Sequence, residues 1–194
     1  KKFSPKDRLQ AGVTAHDIHF SFSDSTSYGN EMIPLRKEAG STQLLQAYAS
    51  WQHRFTDKIT LNSGIFSQYL TLNNTYALEP RIGAKFQVGQ TGSFNLGTGM
   101  HSQMQDLMLY FLKTKSDHNT YAETNRSLDF IRSAQFVAGW EQTIFNEWHY
   151  KIEAYYQHIY NVPVEQRPST FSALNLGSTY GSTKEDSLVN KGTG

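Results

Sequence analysis

Trp148-His149-Tyr150-Lys151-Ile152-Glu153-Ala154-Tyr155-Tyr156-Gln157-His158-Ile159-Tyr160 is the stretch whose reading decides the fold. Trp148, Tyr150, Ile152, Ala154, Tyr156 and Tyr160 share one parity, and His149, Lys151, Glu153, Tyr155 and Gln157 the other. A period of two puts them on opposite faces of a β-strand, one mostly apolar and one polar.

The same alternation recurs upstream. Leu45, Ala47, Ala49, Trp51, His53 and Phe55 alternate with Gln46, Tyr48, Ser50, Gln52 and Arg54. A helix competes here, because Leu44, Tyr48, Trp51 and Phe55 also fall at helical spacing. The segments that follow decide for strands: Ile59, Leu61, Ile65 and Tyr69 oppose Thr60, Asn62, Gly64 and Gln68, and Ile82, Ala84, Phe86 and Val88 oppose Arg81, Gly83, Lys85 and Gln87. Phe94, Leu96, Thr98 and Met100 oppose Asn95, Gly97, Gly99 and His101, and Ala134, Phe136, Ala138 and Trp140 oppose Gln135, Gly139 and Glu141. Leu9, Ala11, Val13 and Ala15 make a weaker first strand. The total is about seven strands, each near the roughly ten residues that a tilted strand needs to cross a bilayer.

Composition fits that picture. Of 194 residues only 38% are hydrophobic and mean hydropathy is negative, yet 13% are aromatic. Such a chain is too aromatic for disorder and has no run of about 20 apolar residues for a membrane helix. A transmembrane barrel passes both tests, since alternating strands average out as hydrophilic. With 18 basic and 17 acidic residues the net charge is +1, so no nucleic-acid partner is expected. Cysteine is absent, which removes disulfides and thiolate metal sites.

The connections add a second argument. Short turns are predicted at Thr56-Asp57-Lys58, Gly89-Gln90-Thr91-Gly92 and Phe145-Asn146-Glu147, with long links at 23–40, 73–79, 104–127 and from 161 onward. Short turns at one end and long loops at the other are the habit of outer-membrane barrels. Trp51, Phe55, Trp148 and Tyr150 lie beside short turns and Tyr69, Tyr156 and Tyr160 near long loops, as two interfacial girdles require. Trp51, Phe86, Phe136, Ala138, Ile152 and Tyr156 are expected to point outward, and Gln52, Lys85, Glu141, Lys151 and Glu153 inward. The alternative architecture is a soluble or surface-exposed β-sandwich that binds glycans or partner proteins through aromatic loops.

Several phrases carry a family resemblance: Leu78-Glu79-Pro80-Arg81-Ile82-Gly83, Glu153-Ala154-Tyr155-Tyr156-Gln157 with Tyr160-Asn161-Val162-Pro163-Val164, and the closing Asn190-Lys191-Gly192-Thr193-Gly194. In order and spacing they resemble the barrel region of TonB-dependent outer-membrane receptors of the Bacteroidota type, along nearly the whole chain. The resemblance implies an all-β antiparallel transmembrane β-barrel sector with short periplasmic turns and long extracellular loops, located in the bacterial outer membrane. It implies uptake of a scarce or large nutrient by TonB-driven active transport, with the lipid bilayer, the TonB complex and a surface lipoprotein as candidate partners. A segment like the closing one re-enters the wall as a new strand in that family. The family's plug domain and TonB box are not in this chain, and about seven strands fall short of roughly 22. Residues 1–194 are therefore expected to be part of a single barrel domain of a longer polypeptide, with contact to TonB made through a missing N-terminal part.

Candidate site residues follow from the inward parity. Arg81, Lys85, Glu141, Lys151 and Glu153 are the lumen-facing candidates for ligand binding. Glu141 and Glu153 invite comparison with the paired carboxylates of glycoside hydrolysis, but a polar lumen balanced by Lys151 is the stronger reading. His16 and His19 fall on opposite faces of a strand, so no shared metal is expected. Gly89-Gln90-Thr91-Gly92 lacks the Lys-Ser or Lys-Thr and the helix of a phosphate loop and reads as a turn. Asp106-Leu107-Met108-Leu109-Tyr110-Phe111-Leu112 is the most apolar run outside the strands, expected to pack as a loop over the barrel mouth. No catalytic residue and no cofactor are expected.

Overall fold

The computed structural model describes residues 4–28, 31–115, 121–145, 147–175 and 187–194. Almost all of it is strand: β1 (Asp7–Tyr28), β2 (Glu31–Arg54), β3 (Ile59–Leu70), β4 (Thr75–Val88), β5 (Gly92–Gln103), β6 (Lys113–Lys115), β7 (Tyr121–Glu123), β8 (Ile131–Ile144), β9 (Trp148–Tyr160), β10 (Val162–Glu165) and β11 (Leu188–Gly192). A four-residue helix, α1 (Leu107–Tyr110), precedes β6. Seven strands form one antiparallel sheet in the order β1-β2-β3-β4-β5-β8-β9, curled into a half-barrel. The all-β antiparallel reading therefore holds.

The register confirms the two faces across the sheet. Ile59, Phe86, Phe94, Trp140 and Ile152 form one row of successive cross-strand partners, and Thr98, Phe136 and Tyr156 another. Ala138 pairs with Ala154 and Leu96, and Trp51 with Leu9. The opposite parity carries Arg54, Thr60, Lys85, Asn95, Gly139 and Glu153 in a single row, and Ser93, Glu141 and Lys151 in the next. Because cross-strand partners share a face, the residues expected outward and those expected inward fall on opposite faces of the sheet.

The meander places the β2–β3, β4–β5 and β8–β9 connections at one end and the β1–β2, β3–β4 and β5–β8 connections at the other. Two predicted long links are corrected. Residues 23–40 are mostly strand: β1 and β2 run 22 and 24 residues and pair from Asp7↔His53 to Tyr28↔Glu31. Since β3 pairs with β2 only from Leu44 to Arg54, the rest of this hairpin extends past the wall as a two-stranded ribbon. Residues 73–79 are no long link either, for the β3–β4 connection is a four-residue turn at 71–74, closed by Asn74 at φ 59°.

The core lies at the long-loop end. Inward Leu70 and Ala77, with Phe20, Phe22 and Leu44 packed alongside, meet Leu109, Tyr110, Phe111, Leu128, Phe130 and Leu188 from the loops. The described residues of the 104–130 connection therefore fold against the inner face as a cap, as expected for the Asp106–Leu112 run. Asp106 starts α1 by accepting from the Met108 N–H at 2.9 Å, and Phe20 and Phe22 contact the Phe111 ring at 4.5 and 5.7 Å.

Buried polar groups hold the cap in place. Arg36, 2% exposed, binds Asp24 on the neighbouring strand and donates to the Met108 carbonyl at 3.4 Å. Asn73 donates to the Leu128 carbonyl at 2.8 Å, Leu188 N–H to Asn125 at 2.9 Å, and Asp129 N–H to Asn190 at 2.8 Å. The closing segment does not re-enter the wall as a full strand: β11 pairs with β10 in a separate two-stranded sheet, and Gly194 reaches the free edge of β9, exchanging two backbone hydrogen bonds of 2.9 and 2.8 Å with Ile159.

Candidate functional site

The inner face divides into three groups. On β8 and β9, Lys151 lies between two carboxylates, 2.7 Å from Glu153 and 3.9 Å from Glu141. Glu153 also covers its partner Gly139, whose added Cβ would come within 3.2 Å of the Glu153 Cγ. With the lysine held between them, the two acids read as a charge-balanced wall rather than an acid and base pair.

The second group surrounds Glu79, which is 2% exposed. Pairing of β4 with β5 stops at Arg81↔Gly99, beside Pro80, whose nitrogen has no hydrogen for the ladder. Side chains take over from there. Ser102 N–H and Oγ donate to Glu79 Oε1 at 3.0 and 2.6 Å, and Gln68 Nε2 donates to the Ser102 carbonyl at 2.9 Å. Arg81 Nη2 closes the group on Glu79 Oε2 at 2.6 Å. Arg81 is thus anchored within the wall, its stem lying over Gly99.

The third group lies at the short-turn end. A cleft of about 610 Å³ is lined by Lys6, Arg8, Gln10, Gln52, Arg54, Thr60, Asn62 and Lys85, among others. Lys85 is the one sequence-predicted candidate found there. Arg8 and Arg54 were not singled out, although their even numbers in β1 and β2 already gave them the inward parity. Glu79 falls in a stretch that reads from sequence as a link, and nothing in the sequence marks the meeting of Gln68 with Ser102.

The five predicted residues therefore share a face without forming one site. His16 and His19 occupy opposite parities of β1, as expected. Among the described residues no group of three or more His, Asp or Glu is placed to hold a metal ion, and no helix is long and apolar enough to cross a membrane.

The fold is similar to that of a receptor of known structure. The crystal structure of the siderophore receptor PirA from Pseudomonas aeruginosa superimposes with a TM-score of 0.59 at 11% sequence identity, over 96% of this chain and 38% of that one. At that identity the likeness speaks to fold alone, and this chain spans under two-fifths of the receptor's length. No family model matches the chain, and no curated protein matches it.

Proposed function

We propose that the chain is a sector of the wall of a bacterial outer-membrane β-barrel that takes up a scarce or large nutrient by TonB-driven active transport. The observation that carries this reading is the uncovered apolar outer face. Val13, Ile82, Phe136, Ile152 and Tyr156 share it and stand 84%, 50%, 48%, 66% and 67% exposed. A soluble sandwich would bury that face under a second sheet, whereas lipid covers it directly. The half-barrel curl, the clustering of the cap and long ribbon at one end, and the fold likeness to a siderophore receptor support the same reading. The Bacteroidota-type resemblance rests on the sequence phrases alone.

In this reading the short turns are periplasmic, the ribbon and the cap are extracellular, and TonB and a surface lipoprotein act as partners of the whole receptor. Unpaired backbone groups facing lipid cost several kcal/mol each, so the outer edges of β1 and β9 take partners from further strands of the same polypeptide.

Tryptophan fluorescence tests the membrane reading, because Trp51, Trp140 and Trp148 all have outward parity. In proteoliposomes, lipids brominated along the acyl chain should quench the emission strongly, with Trp51 and Trp140 reporting more depth than Trp148, beside the β8–β9 turn, in single-tryptophan variants. Emission untouched by brominated lipid, from a protein monodisperse in plain buffer, would sink the reading. Loss of ligand uptake in cells without TonB checks the energy source separately.

A further inference from the structure

We propose that the cationic cleft at the short-turn end of the inner face binds a multiply charged oxyanion group, phosphate or carboxylate, on a small ligand. Arg8, Arg54 and Lys85 line one cleft from three strands, and the register brings them together: Arg8 pairs with Gln52, and Arg54 with Thr60, itself the partner of Lys85. At roughly 5 Å per strand, Arg54 and Lys85 stand about 10 Å apart, with Arg8 one strand to the other side. That span suits an anion with two or three charged groups better than a lone halide.

Charge pairing elsewhere on the inner face makes the cleft distinct. Lys151 has Glu141 and Glu153, Arg81 has Glu79 and Arg36 has Asp24. Among the described residues no carboxylate lies within ion-pair distance of Arg8, Arg54 or Lys85. Asp7, the acid in the lining, has the opposite parity and is bound to His53 at 2.7 Å, Trp51 at 3.0 Å and Ser4 at 2.6 Å. Asn62 and Thr60 add neutral donors between the cations, and Asn62 holds Gln52 in place at 2.9 Å. Two guanidinium forks, an ammonium and amide donors are the set that recognises phosphate and carboxylate oxygens.

The inference concerns the inner face only and does not depend on transport, so its test leaves uptake aside. Inorganic pyrophosphate and citrate are titrated by calorimetry into the intact protein in detergent micelles at low salt. Saturable one-to-one binding that weakens with added salt is expected. Arg54→Gln and Lys85→Gln should each weaken it about tenfold, the worth of one charge-assisted hydrogen bond, and Arg54→Lys should weaken it less. Lys37→Gln, an equal loss of charge on the distant ribbon, should leave it unchanged. All of these side chains are exposed, and unchanged strand content by circular dichroism accompanies each variant. No saturable heat with either anion, full binding in the Arg54→Gln/Lys85→Gln double variant, or an equal loss in Lys37→Gln would each overturn the proposal.

Discussion

Glu79 shows how a single residue resolves a conflict written into the chain. Pro80 interrupts an interior strand, and the adjacent carboxylate replaces the missing ladder bond by accepting from Ser102 and Arg81. Glu79→Ala should cost about 3 kcal/mol in chemical denaturation, because it leaves the Ser102 N–H, Gln68 and Arg81 without their shared acceptor. Glu79→Gln keeps an oxygen at the same place and should cost less; equal losses would show that the hydrogen-bonded geometry is not what matters. None of this is legible in the sequence, since Asn73 and Asn74 followed within a few residues by Glu79-Pro80 carry the local signs of a link. The turn is there, but four residues earlier, and only the bonds made by Gln68 and Ser102 reveal why the strand can run through Pro80.

At the scale of elements, period-two patterning located all seven strands of the main sheet and their faces, because each strand there has one apolar and one polar side. It could not see the ribbon. In residues 23–40 serine, glycine, asparagine and proline mix with a few apolar residues, and the side that meets the cap does so through charged residues such as Arg36 and Glu38, so the hairpin has little apolar–polar contrast to show. The cap was legible as an apolar run but not in its anchoring, which comes from distant residues such as Arg36 and Asn190. Its acid–base behaviour can be tested at Glu123. Burial foremost, then the facing Glu38 carboxylate, push this acid above the ordinary glutamate range, against the pull of Arg126 and Lys113. A group whose folded value is raised contributes stability that is complete below its unfolded value and lost as pH rises through the folded one. Amides of Leu109 to Leu112 should therefore exchange more slowly in mildly acidic buffer than at neutral pH, after correction for intrinsic rates. Glu123→Gln should flatten that difference, and an unchanged difference in this variant would assign it to another group.

For the whole molecule, the two-faced wall makes a quantitative demand. Ala138 and Tyr155 lie at one level of the sheet, as Val137 is the partner of Tyr155, but on opposite faces. Ala138→Arg puts a charge on the outer face and should cost on the order of 2–4 kcal/mol in lipid near mid-membrane. Tyr155→Arg, on an inner side chain already 78% exposed, should be tolerated. Unfolding in phospholipid vesicles compares the two, and equal losses would argue against lipid on the outer face alone. The same level of the wall also has a mechanical character. Backbone bonds rivet β4 to β5 from Arg81↔Gly99 to Val88↔Gly92, while beyond Pro80 the two strands are joined through the side chains of Glu79, Gln68 and Ser102. Side chains swivel where ladders do not, so the half-barrel is two stiff staves, β1 to β4 and β5 with β8 and β9, with a compliant hinge at the end that carries the cap. A load pulling the cap outward meets side-chain bonds rather than a backbone ladder at that joint, like a barrel whose hoop is missing at one rim.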